Sequence, residues 1–166
     1  LDWDDPHNEA ARLMEMAAAH GKPVVIMEPA RGGRLCNLPD AAAKVLAEAD
    51  LGATQAQWAY RFCWNLPNVL AVLSGMSSLN QVRENVASYA ANAPLDSEEK
   101  AALDKAVGIL RSLAGIPCTA CNYCVKGCPS NVQIPQIMEL LNLGDMTGDL
   151  AFAKDLYSWQ AAEGKA

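Results

Sequence analysis

Four cysteines fall within eleven residues, in the run Cys118-Thr-Ala-Cys121-Asn-Tyr-Cys124-Val-Lys-Gly-Cys128-Pro129. The spacing is C-x2-C-x2-C-x3-C-P. Thiolates three residues apart in a tight loop can each reach a different iron of one cuboidal cluster, and the proline turns the chain away from it. The spacing therefore predicts a 4Fe-4S site with Cys118, Cys121, Cys124 and Cys128 as ligands. Zinc is the main rival, but structural zinc takes two C-x2-C knuckles separated by about a dozen or more residues. A redox C-x-x-C pair would use only two of the four thiols. A disulfide framework fits poorly, because nothing in the sequence suggests export, and a reducing cytoplasm is the expected compartment.

About half of the 166 residues are apolar and 19% are charged, which is globular composition with ample material for a core. The net charge of −6, with no basic run or basic–aromatic stripe, argues against a nucleic-acid partner. Apolar stretches such as Val69 to Leu73 are far too short to span a membrane. Leu1-Asp-Trp-Asp-Asp-Pro6 is acidic where a signal peptide would be basic, and the start at Leu1 rather than Met implies a piece of a longer parent protein.

Helix and strand signals alternate over the first two thirds. Asp5-Pro6 reads as a helix start, followed by Leu13, Met14, Met16 and Ala17 at helical spacing and a stop at Gly21-Lys-Pro23. Val24-Val-Ile-Met27 reads as a buried strand, ending in the loop Glu28-Pro-Ala-Arg-Gly-Gly33. A helix from about Asp40 to Ala49 follows. Thr54 and Gln57 form a capping box for another, which carries Trp58, Tyr60, Phe62 and Trp64. Leu66-Pro-Asn68 ends it, and Val69-Leu-Ala-Val-Leu73 reads as a second buried strand. Ser74-Gly-Met-Ser-Ser78 turns into a helix through Tyr89, with Ser78 and Gln81 as its capping box. Asp96-Ser-Glu-Glu99 opens a helix to about Leu113, its acids suiting the positive end of the dipole. After Gly115 the cysteine loop precedes a helix from about Pro135 to Leu143, a break over Gly144-Asp-Met-Thr-Gly148, and a last helix from about Asp149 to Gln160.

This order predicts an α/β class built from parallel βα units, in a doubly wound sheet or a (β/α)8 barrel. Two strands are too few for either, so an N-terminal part or another chain must supply the rest. The expected division is a barrel portion over residues 1–115 and a small helical iron–sulfur domain over residues 116–166. Cys63, on an apolar helix face, reads as a small hydrophobe, and Cys36, after the glycine loop, also reads as non-functional. His7 and His20 read as solvent-exposed, and Tyr60 and Tyr89 as helix packing or surface residues.

The residues also resemble a known family. Val24-Val-Ile-Met-Glu-Pro-Ala-Arg-Gly-Gly-Arg-Leu35 looks like the seventh strand and following loop of aldo/keto reductases, and Val72-Leu-Ser-Gly-Met-Ser-Ser-Leu-Asn-Gln-Val-Arg-Glu-Asn85 like their eighth strand and next helix. The tail from Cys118 to Asn142 is similar to the ferredoxin-like extension of a bacterial, often anaerobic, subgroup. The resemblance implies the C-terminal portion of a (β/α)8 barrel in an NAD(P)-linked oxidoreductase with an electron-transfer module. It implies nucleotide contacts at Pro29, Gly32, Gly33 and Leu35 from one loop, and at Ser74, Gly75, Met76, Ser77, Gln81, Glu84 and Asn85 from the other. Barrel active sites lie at the carboxyl ends of strands, and glycines let backbone approach phosphate, although a glycine loop alone is as readily a plain turn.

The sequence departs from the family in two ways. Gly75 and Gln81 stand where NADP-preferring members carry basic side chains, and the Asp–Tyr–Lys–His tetrad of the first barrel half has no counterpart here. The expected reading is an oxidoreductase whose catalytic tetrad lies outside this chain, so that the chain alone is inactive; its redox partner is not identified. The alternatives are a stand-alone 4Fe-4S electron-transfer or interaction module and an oxygen-sensing regulator. The resemblance further implies a second cysteine motif beyond Asp149-Leu-Ala-Phe-Ala-Lys-Asp-Leu-Tyr157, hence two clusters in the parent, with Cys128 reaching toward the other one.

Overall fold

Two short strands pair in parallel, β1 over Val24–Ile26 and β2 over Val69–Val72. Val24 aligns with Val69, Val25 with Ala71 and Ile26 with Val72, so Leu70 is an extra residue that bends β2 beside β1. The computed structural model describes residues 1–4, 8–91, 93–116, 118 and 121–162. The Asp5-Pro6 helix start, His7 and Pro117 lie outside the described residues.

Around this pair the chain is helical. Helix α1 covers Ala10–Ala19 and precedes β1; α2, Asp40–Ala49, and α3, Gln55–Trp64, cross from β1 to β2. Next come α4, Leu79–Ala91, and α5, Ser97–Ser112. The expected caps form. Thr54 and Gln57 bond reciprocally at the start of α3, and at α5, where the sequence reading gives only acids suiting the dipole, Asp96 and Glu99 do the same. At α4, Ser78 Oγ accepts from Gln81 N at 3.3 Å and Gln81 Oε1 accepts from Ser78 N at 3.1 Å. A short 3-10 turn at Arg34–Cys36, which the sequence reading leaves inside a loop, follows Gly33.

The core lies between helices rather than under the sheet. Ala42 and Leu46 of α2, Trp58 of α3, Leu95, and Ala106 and Leu110 of α5 form one buried cluster. Both strands were expected to be buried, and they are not. Val25 is 46% exposed, Met27 73%, Leu70 69% and Leu73 49%. The physical reason is that a two-stranded sheet has two open edges, and no layer covers this face among the described residues.

Beyond residue 116 the regular elements among the described residues are helices: α6 over Tyr123–Lys126, α7 over Ile134–Thr147 and α8 over Leu150–Ala162. The break expected at Gly144 is absent. Helix α7 runs through it and stops at Gly148, whose φ of 70° suits glycine. Gly144 serves a close helix crossing instead: a Cβ there would stand 3.1 Å from Leu150 Cδ1 and 3.3 Å from Ala153 Cβ of α8. The segment packs directly on the preceding portion. Met146 rests on the helical core, and the Asn142 side chain donates to Ile116 O at 2.7 Å and accepts from Ile116 N at 2.9 Å.

Candidate functional site

A cavity of about 800 Å³ opens at the carboxyl ends of β1 and β2. Its first wall is the loop after β1, where Pro29, Gly32 and Gly33 line the space. Four residues of this loop take left-handed backbone: Glu28 at φ 50°, Arg31 at 49°, Gly32 at 65° and Gly33 at 90°. The two non-glycine members are strained, which a packed loop tolerates where its path is fixed. The second wall follows β2, with Ser74, Gly75, Met76 and Ser77, and the start of α4 adds Gln81, Glu84 and Asn85.

Ten of the eleven residues singled out in the sequence thus line one space. Leu35 does not. It turns to the other side of the loop, into an apolar cavity of about 750 Å³ shared with Trp58, Phe62 and Leu103.

Side chains fix the second wall. Gln81 Oε1 accepts from Ser77 N at 2.8 Å as well as from Ser78 N, tying the turn to α4. Ser74 Oγ accepts from Asn85 Nδ2 at 3.0 Å and shares a 2.8 Å hydrogen bond with Tyr60 Oη. Thr54 Oγ1 donates to Glu84 Oε1, joining the start of α3 to α4. Lining residues that the sequence reading does not single out include Glu28, Cys36, Thr54 and Tyr60. Tyr60 is buried, which is the helix-packing alternative of the sequence reading, and its place at the cavity follows from its position one turn beyond the Thr54–Gln57 capping box.

Among the described residues that line the cavity, the charged ones are Glu28 and Glu84, and none is Lys or Arg. An anion here would be met by backbone N–H groups and hydroxyls, not by a side-chain cation. Burial, and secondarily the Glu84 carboxylate, pushes the Cys36 thiol up, so it remains protonated at neutral pH.

The cysteine segment is shaped by turns. Cys118 N donates to Ile116 O at 2.8 Å, Asn122 enters α6 with φ 61°, and Cys128 N donates to Val125 O at 3.1 Å. Cys118, Cys121 and Cys124 are exposed and Cys128 is half-buried; all six cysteines of the chain are thiols. Val132 N donates to Cys128 Sγ at 3.4 Å, a contact of the kind that tunes a metal-bound sulfur. The donor set thus fits a thiolate-bound iron cluster in chemistry. No three of the His, Cys, Asp and Glu side chains among the described residues are gathered as a ligand group, so the four thiols stand near in sequence without converging.

Cys63 is buried in the apolar face of α3, as expected of a small hydrophobe, and burial raises its thiol pKa to about 11. His20 is exposed, with Nδ1 2.8 Å from Met16 O. Tyr89 is 65% exposed and meets Trp64 edge to face. Among the described residues no helix is long and apolar enough to cross a membrane.

Residues 5–107 match the profile described as the aldo/keto reductase family, a stretch that spans both strands and the whole of the cavity. No curated protein and no solved structure matches the chain.

Proposed function

The chain belongs to the aldo/keto reductase family, a family of oxidoreductases, and on that premise we propose that it forms the nucleotide-binding end of a (β/α)8 reductase barrel carrying a ferredoxin-like 4Fe-4S module. The observation that carries the first half is the convergence of two loops, 41 residues apart at Gly33 and at Ser74, on one cavity at the carboxyl ends of parallel strands. The dinucleotide supplies hydride chemistry when bound. The chain's own part is to hold it: the Gly32–Gly33 backbone admits close approach of phosphate, and Ser74, fixed by Tyr60 and Asn85, presents a hydroxyl.

The cationless lining favours NAD over NADP, because a 2′-phosphate would meet Glu28 or Glu84 without a compensating charge. The open face at Val25, Met27 and Leu70 supports a covering partner, either the N-terminal half of the barrel or another chain. The acid that protonates a carbonyl substrate would then come from that part, outside this chain.

Cys118, Cys121, Cys124 and Cys128 are the residues that would hold the cluster, whose chemistry is one-electron transfer; it makes the redox partner a second protein or the nucleotide site itself. A cytoplasmic setting suits thiol ligands. A stand-alone electron-transfer or interaction module is the second reading, favoured by the exposure of three of the four thiols.

Calorimetric titration with NADH tests the cavity. Binding that Gly33→Val weakens by at least about tenfold supports the assignment, since valine is strained at φ 90° and blocks the approach. Failure of the unsubstituted protein to bind either nicotinamide dinucleotide refutes it.

A further inference from the structure

The glycine loop after β1 is gripped from outside the barrel portion. The guanidinium of Arg34 lies 3.3 Å from the ring centroid of Phe152, in the first turn of α8. The same guanidinium donates through Nη1 to Arg31 O at 2.7 Å, and it stands 3.8 Å from where a Cβ on Gly32 would be. One side chain therefore bridges the left-handed turn and the C-terminal segment. Arg34 Nε is buried without a hydrogen-bond partner, and burial, then the neighbouring Arg31 charge, pull the arginine pKa down against the opposing pull of Glu28 and Asp149. A guanidinium that has given up water in this way gains from an aromatic face.

Helix α8 is itself held at the required place. Asp149 Oδ1 accepts from Phe152 N at 2.9 Å, fixing the first turn. The Gly144 crossing seats Leu150 and Ala153 against α7, so the ring is presented by a rigid helix pair rather than by a loop. Helix α7 also packs against α6, which bears Cys124.

We propose that Phe152 and Arg34 are positioning residues for the nucleotide cavity: α8 clasps Arg34 and so fixes Gly32 and Gly33 as the cavity wall. The affinity of that cavity then depends on a helix outside the region matched to the family profile. The proposal rests on the nucleotide reading for its consequence, but not for the clasp itself.

The test pairs a ligand-free readout with a ligand-dependent one. Alkylation at Cys36, located by mass spectrometry, and amide exchange over residues 32–36 report loop opening. Phe152→Ala and Arg34→Ala should each speed Cys36 alkylation and weaken NADH binding by about three- to tenfold. The double variant should be no worse than either single one, and Phe152→Tyr should behave as the unsubstituted protein. Phe152→Leu, which keeps apolar volume without the ring face, should resemble Phe152→Ala, and it serves if the alanine variant does not fold. Unchanged alkylation and exchange in Phe152→Leu and Arg34→Ala would overturn the clasp, as would tighter NADH binding in either. If the loop opens in the variants but the unsubstituted protein binds no NADH, the clasp stands and the nucleotide reading falls.

Discussion

Arg61 of α3 donates through both terminal nitrogens to the two carboxylate oxygens of Glu99 in α5, each at 2.7 Å. The side chains are 12% and 11% exposed, so this is a nearly buried, two-pronged ion pair. Around it, Arg61 Nε donates to Ala93 O at 3.1 Å, and Glu99 Oε2 also accepts from Asp96 N at 2.9 Å. The pair thus ties the crossover helix to the capping box of α5, and the core of Leu46, Trp58 and Leu110 is assembled beside it.

Removing one partner should be costly, because it strands the other charge. Arg61→Ala is expected to lower stability by about 3–5 kcal/mol. Arg61→Lys should recover only part of this, since an ammonium cannot present the planar fork. Replacing both residues with Met should cost less than Arg61→Ala alone. Urea denaturation midpoints of the four proteins check the order.

Cys63 gives the fold a weakness at high pH. Its pKa is raised to about 11 from a reference of 9.0 because burial disfavours the thiolate. The folded state therefore holds a proton that the unfolded state releases first. Stability from this group is complete below pH 9 and is lost as pH rises toward about 11. Cys63→Ala should flatten that part of the stability–pH profile. At pH 8, iodoacetamide should label exposed Cys118 and Cys124 well before Cys63.

Much of this architecture can be read from local residues. Thr54 with Gln57, and Asp96 with Glu99, mark helix starts because their hydrogen bonds close within four residues. The two walls of the cavity are legible through glycine, serine and resemblance. What stays hidden depends on partners distant in the chain. Gly144 reads as a helix break, and only the approach of Leu150 and Ala153 turns it into a crossing point. Phe152 gives no local sign of Arg34, which lies 118 positions earlier. The strands read as buried because Val and Ile runs imply two covered faces, whereas covering one needs a layer that these elements do not form.

The four thiols should not be equivalent. Cys128 is half-buried and accepts a hydrogen bond from Val132 N, while the other three are exposed. Serine substitution under anaerobic reconstitution is expected to abolish the cluster at Cys118, Cys121 or Cys124 and to have a milder effect at Cys128. Equal and complete loss at all four positions would instead indicate one self-contained four-cysteine cluster.

The metal content of the protein tests the central claim most directly. Isolated without oxygen from iron-replete cells, it should be brown and carry about four iron and four sulfide per chain. Colourless protein with stoichiometric zinc and no acid-labile sulfide would contradict an iron–sulfur module on this aldo/keto reductase chain.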